Sequence, residues 1–70
     1  MIRAFIEGCK YKNMYWKDAF IEVLKAEDKE EYWHLVIMWK DEKTEKPLLD
    51  RALTIDLYKD KMTEWHSWQR

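Results

Sequence analysis

The pattern of apolar and polar positions divides the chain into five stretches. Residues 2–7 (Ile-Arg-Ala-Phe-Ile-Glu) alternate imperfectly and are rich in strand formers, so a strand is expected there, ended by Gly8, the only glycine. Residues 14–26 fit a helix better than a strand. At 100° per residue, Tyr15, Trp16, Ala19, Phe20, Val23, Leu24 and Ala26 gather on one side and Lys17, Asp18, Glu22 and Lys25 on the other. Ile21 is the one clear misfit. The strand alternative would mix acids with large apolar groups on the face Trp16, Asp18, Phe20, Glu22, Leu24. A rival hairpin, Phe20–Ala26 turning through Glu27–Glu31 into Tyr32–Trp39, has no Gly, Asn or Pro in its turn. Residues 32–40 are dense in β-branched and aromatic types and predict a central strand. Residues 51–58 alternate cleanly, with Leu53, Ile55 and Leu57 on one face. Between them, Pro47 excludes a continuing helix. Residues 59–70 are read as a helix, with strand as the alternative. Asp56 could cap that helix, and Tyr58, Met62, Trp65 and Trp68 would lie on one side.

The expected architecture is therefore α+β: a small three-stranded antiparallel sheet with one or two helices packed on it, in the order β-α-β-β-α. If both helix assignments fail, the chain becomes an all-β five-stranded SH3-like or OB-like barrel. Seventy residues allow one domain, residues 1–70. A chain so short buries only about 60% of its unfolded surface. Its one cysteine permits no intrachain disulfide, so its core must rest on bulk: five Trp, four Tyr and two Phe. Some of these rings should reach the surface, which makes a homodimer or a protein partner the natural expectation.

The hydrophobic fraction of 47% beside a charged fraction of 39% describes a folded domain with a heavily charged exterior. The longest apolar run, Leu35–Trp39, is far short of a membrane span, and the first residues lack a signal-peptide layout. A lone thiol suits a reducing compartment, so a cytoplasmic location and no membrane partner are expected. Net charge is −1, which argues against a dedicated nucleic-acid binder, although the chain is polarised: +3 over residues 1–17 and −4 over 18–31. The acidic clusters Glu27-Asp28-Glu30-Glu31 and Asp41-Glu42-Glu45 should flank the strand 32–40 at its two ends. A DNA-mimicking acidic surface would carry a larger negative excess.

Catalytic chemistry is expected to be absent. A single glycine excludes a P-loop or a dinucleotide fingerprint. Cys9 with His34 or His66 could form a nucleophile–base pair, or with both a metal site, but no spacing supports either, and no cofactor or metal is expected. His34 falls inside the apolar strand, where a structural histidine is expected.

Two segments invite a binding reading. Trp65-His66-Ser67-Trp68 places two indoles three residues apart, and with Tyr58 they form the candidate protein-binding site, Trp being enriched at hot spots. There Trp68, nearest the end, is expected to serve binding and Trp65 to contribute more to the core. The segment 10–17 interleaves bases with rings. Its Lys10, Tyr11, Lys12, Tyr15 and Lys17 are the candidate site of the alternative, a small single-stranded nucleic-acid-binding protein. The leading expectation is a non-enzymatic protein-binding module, an inhibitor or adaptor that occludes a partner surface. In composition the chain resembles the short, aromatic-rich accessory proteins of phages that bind and disable host machinery.

Overall fold

The computed structural model describes residues 2–69. They form one five-stranded antiparallel sheet in the order β4-β3-β2-β1-β5. The strands are β1 (Lys10–Asn13), β2 (Ala19–Asp28), β3 (Tyr32–Asp41), β4 (Leu53–Tyr58) and β5 (Trp65–Ser67). A single 3-10 helix, Lys59–Glu64, joins β4 to β5. Six residues of 3-10 helix span only about 12 Å, whereas the edges of a flat five-stranded sheet would lie about 19 Å apart. The sheet is therefore curled, and the ladder stays open between β4 and β5.

This corrects the α+β expectation in favour of the all-β alternative. Residues 19–28 are a strand, and with β3 they make the hairpin that lacked turn residues. The turn closes without glycine. The Asp28 side chain accepts the Glu30 N–H at 3.0 Å, Glu30 takes a left-handed conformation (φ 70°), and the Lys29 N–H bonds the Tyr32 carbonyl at 2.9 Å. The helical pattern over 14–26 has a mechanical origin. A β-bulge between Val23 and Lys25 throws Leu24 out of register, so Ile21 and Val23 face the core before it and Ala26 returns to that side after it. One inserted residue turns a period of two into spacings that mimic a helix.

The expected strand 2–7 and the expected helix 59–70 are also corrected. Residues 2–7 form no strand, yet Phe5 enters the core and meets Tyr11, Trp33 and Trp65 edge-on at centroid distances of 4.9, 6.0 and 5.9 Å. After the 3-10 helix, residues 65–67 extend along β1. Strands 32–41 and 53–58 lie where expected, with Leu53, Ile55 and Leu57 opposite Ile37, Leu35 and Trp33.

The inner face of the sheet is apolar: Tyr11, Ile21, Val23, Trp33, Leu35, Ile37 and Leu57, closed by Phe5, Met62 and Trp65. The outer face carries Lys10, Lys12, Glu22, His34, Lys40 and Asp56, the pattern of an antiparallel sheet with one solvated side. Val36 and Met38 lie half-buried on this face as well, and Phe20 goes further. It belongs to the outer face yet is 0% exposed, because the carboxy-terminal segment folds back over it.

Candidate functional site

The two candidate segments meet on the outer face. β1 presents Lys10 and Lys12 there, while Tyr11, pointing the other way, is buried at 3% exposure. The Lys12 ammonium donates to Glu42 Oε2 at 2.7 Å, and Lys10 reaches Glu45 at 3.4 Å. Trp68 stacks flat on Phe20, with ring centroids 4.0 Å apart and planes 4° from parallel. Its Nε1–H donates to the same Glu42 oxygen at 2.8 Å. Lys10 also hangs over both rings, 5.9 Å from the Phe20 centroid and 5.7 Å from that of Trp68. The Lys12 and Trp68 donors hold the Glu42 carboxyl below the usual glutamate range.

These contacts take up much of what the sequence offered. Of the bases and rings in segment 10–17, Lys10 and Lys12 are neutralised by acids from the loop after β3, and Tyr11 is core. Burial raises the Tyr11 phenol above its ordinary pKa, and its hydroxyl accepts the Ile6 N–H at 2.8 Å. The tail residues are not brought together either. Trp65 is buried in the core, His66 is exposed on β5 opposite Lys12, and Trp68 covers Phe20. Tyr58 stands on the far edge strand against Tyr32, at 5.6 Å.

Cys9, His34 and His66 stay apart as well. His34 Nδ1 lies 2.6 Å from Asp56 on β3 and β4, whereas His66 is on β5, beyond two intervening strands. The exposed Cys9 neighbours the Tyr11 hydroxyl. Among the described residues no group of three His, Cys, Asp or Glu side chains is placed to hold a metal, and no ligand-sized cleft opens. The acidic clusters do lie at the two ends of β3, each tied locally to lysines: Asp28 to Lys59, Glu27 to Lys29 and Glu42 to Lys12.

The β1–β2 loop stays open, as do Ile6 at 60% and Tyr58 at 57% exposure elsewhere on the surface. The loop backbone is pinned at three points. Asn13, 7% exposed, accepts the Tyr15 N–H on its side chain at 2.9 Å and the Trp16 N–H on its carbonyl at 3.0 Å. The Met14 N–H bonds the Glu64 carbonyl at 2.8 Å. Trp16 anchors the far side, packed edge-on against Trp65 at 5.1 Å and tilted against Trp39 at 6.2 Å. Between these anchors Met14 is 59% and Tyr15 73% exposed, with exposed Lys17 following. Sequence reasoning named Tyr15 and Lys17 but passed over Met14. The signal was Asn13 two residues before Tyr15, an Asx-turn spacing that lifts the intervening side chain out of the sheet. Compared with known proteins, the chain matches no family model, no curated protein and no solved structure.

Proposed function

We propose that this chain is a non-enzymatic protein-binding module that engages its partner through the β1–β2 loop, with Tyr15 as the anchor and Met14 beside it. The observation that carries the reading is an exposed tyrosine on a loop already held in place. A ring exposed at 73% leaves most of its area to be buried by a partner. Tyrosine offers a large amphipathic surface with only two side-chain torsions to immobilise. The hydrogen bonds that the loop N–H groups donate to Asn13 and Glu64 remove much of the cost of ordering the loop. Met14 adapts its shape to whatever it meets. Lys17 and Asp18 next to them supply charge that orients the encounter. The mechanism is occlusion of the surface on which Tyr15 lands.

A second reading retains single-stranded nucleic acid, because a ring and a base of segment 10–17, Tyr15 and Lys17, stay exposed. A base stacked on Tyr15 would gain roughly 1–3 kcal/mol. Against it, Lys10 and Lys12 are closed by Glu45 and Glu42, and the same loop borders Asp18, Glu42 and Glu64. No basic track therefore leads away from the ring.

The test compares immobilised wild-type protein with Tyr15→Ala and Met14→Ala in capture from lysate of the encoding organism. Labelled oligothymidylate is titrated in parallel at two salt concentrations. Surface truncations should leave stability within about 0.5 kcal/mol. Tyr15→Ala should weaken capture of a specific protein by roughly 30-fold, the size of a hot spot. A partner held equally well by both variants would overturn the reading. A salt-sensitive sub-micromolar oligonucleotide complex lost in Tyr15→Ala and Lys17→Glu would establish the second.

A further inference from the structure

β4 is an edge strand: among the described residues no strand pairs with its outer side and no backbone hydrogen bond reaches it there. The hydrogen-bond phase of the β3–β4 ladder follows from one bond. Lys59 N–H donates to the Glu31 carbonyl at 3.0 Å, in register with the pairs Tyr32↔Tyr58 to Ile37↔Leu53. In an antiparallel ladder bonded pairs alternate, so Leu57, Ile55 and Leu53 bond to β3. The N–H and C=O groups of Thr54 and Asp56, and the N–H of Tyr58, then point to the free edge. Apart from Asp56, the strand carries none of the usual safeguards. Leu-Thr-Ile-Asp-Leu-Tyr contains no lysine, no proline and no bulge, and Leu53 and Ile55 are only half-buried on the inner face.

We infer that β4 pairs antiparallel with β4 of a second copy of this chain, about a twofold axis at Ile55, to form one continuous ten-stranded sheet. The sequence of the strand selects this occupant. Only registers that face outward-pointing residues with one another can form bonded pairs. Two of these overlap five residues. In one, Asp56 meets Asp56 of the second copy, two carboxylates directly opposite, which is unfavourable. In the other, Ile55 meets its own copy and Leu53 meets Leu57, so the inner apolar face continues across the junction. On the outer face Thr54 meets Asp56 twice, a hydroxyl opposite a carboxylate, with Thr54 and Asp56 forming the bonded pairs. The segment 53–57 is self-complementary in this register: apolar, polar, apolar, polar, apolar about its midpoint. A single strand pair buries less than a standard interface, so dimer should accumulate between about 10 µM and 1 mM.

Thr54 is exposed on the outer face, so its replacement spares the core. Sedimentation equilibrium is run on the full chain as wild type, Thr54→Asp and Thr54→Lys, with melting temperature confirming each fold. Thr54→Asp places carboxylates opposite Asp56 at both ends and should weaken the dimer roughly 2- to 30-fold. Thr54→Lys should tighten it by a similar factor at low salt and lose that gain at high salt. Lysine on an edge ordinarily blocks pairing, so tightening is specific to this register. As an independent arm, Ile55→Cys in a Cys9→Ser background should cross-link on oxidation. The two Ile55 positions form a non-bonded pair with Cα atoms about 4.5 Å apart, within disulfide reach. A wild-type monomer at 1 mM, a dimer or larger assembly indifferent to both Thr54 changes, weakening by Thr54→Lys, or no cross-link at Ile55 would each overturn the proposal.

Discussion

Trp68→Ala is the perturbation that best exposes how the outer face is built. In the wild type the indole lies flat on Phe20 at 4.0 Å and donates to Glu42 at 2.8 Å. A Trp→Ala truncation in a core costs ~3–5 kcal/mol. Trp68 keeps part of its surface in water, so ~2–3 kcal/mol is the better figure for the lost cover over Phe20, and the stacking geometry belongs within it. The part-buried bond to Glu42 adds ~1 kcal/mol, because Glu42 keeps Lys12 as a partner. The sum, about 3–4 kcal/mol, is a large share of the ~4–10 kcal/mol expected of a 70-residue domain. At about 4–8 °C per kcal/mol for a domain of this size, the melting temperature should fall by roughly 12–32 °C. Thermal circular dichroism measures it, with Trp68→Phe as the internal control. That variant keeps a ring on Phe20, loses the Nε1 bond and part of the indole's cover, and should lose about 1–2 kcal/mol. The expectation from its place near the end of the sequence was the reverse, a Trp68 that serves binding and leaves the fold intact. A Trp68→Ala protein melting within 2–3 °C of wild type, a loss below about 0.5 kcal/mol, would refute the role assigned to the stacked pair.

Glu30→Gly should raise stability by about 0.5–1 kcal/mol in a chemical-denaturation series, because a side chain at φ 70° is strained where glycine is not; an unchanged or lower midpoint would contradict the turn geometry. Glu42 has its pKa depressed by Lys12 and Trp68, so its contribution is present above the ordinary glutamate range and fades as pH falls through it. Glu42→Gln should therefore narrow the stability difference between pH 7 and pH 3, read by urea midpoints at each pH. Tyr11 has a raised pKa from burial, so its stabilisation holds below the ordinary tyrosine value and is lost as pH rises beyond it. In an ultraviolet pH titration it should ionise last, and Tyr11→Phe should remove that late step.

Much of the sheet could be read from residues alone where a single face is buried. β3 and β4 follow their β-branched and alternating patterns with no interruption in the ladder between them. β2 was misread because two devices disguise it. The bulge at Leu24 shifts the alternation, and Phe20, an apolar residue on the polar face, is explained only by Trp68, 48 positions further on. Ile21, the misfit on the helical wheel, is 0% exposed and was the residue that carried the correct answer. The turn at 28–31 hid because a glutamate, Glu30, takes the left-handed position usually given to glycine or asparagine, with the Asp28 side chain closing the turn. For the site, Tyr15 and Lys17 were legible as chemistry. The closure of Lys10 and Lys12 was not, since Glu42 and Glu45 reach them from 30 and 35 residues away.

The loop that presents Tyr15 and the edge offered by β4 both exist only if residues 19–28 form a strand between β1 and β3. Cross-strand Hα–Hα nuclear Overhauser effects test this most directly. The Lys29 N–H to Tyr32 carbonyl bond sets the phase, making Asp28↔Trp33 and Ala26↔Leu35 non-bonded pairs with short Hα–Hα distances. Asn13↔Trp65 should behave likewise, since Met14 bonds Glu64 in the same register. Strong effects at all three pairs are predicted. Their absence, with Hα to amide contacts three residues apart through 14–26, would show a helix there and contradict the account.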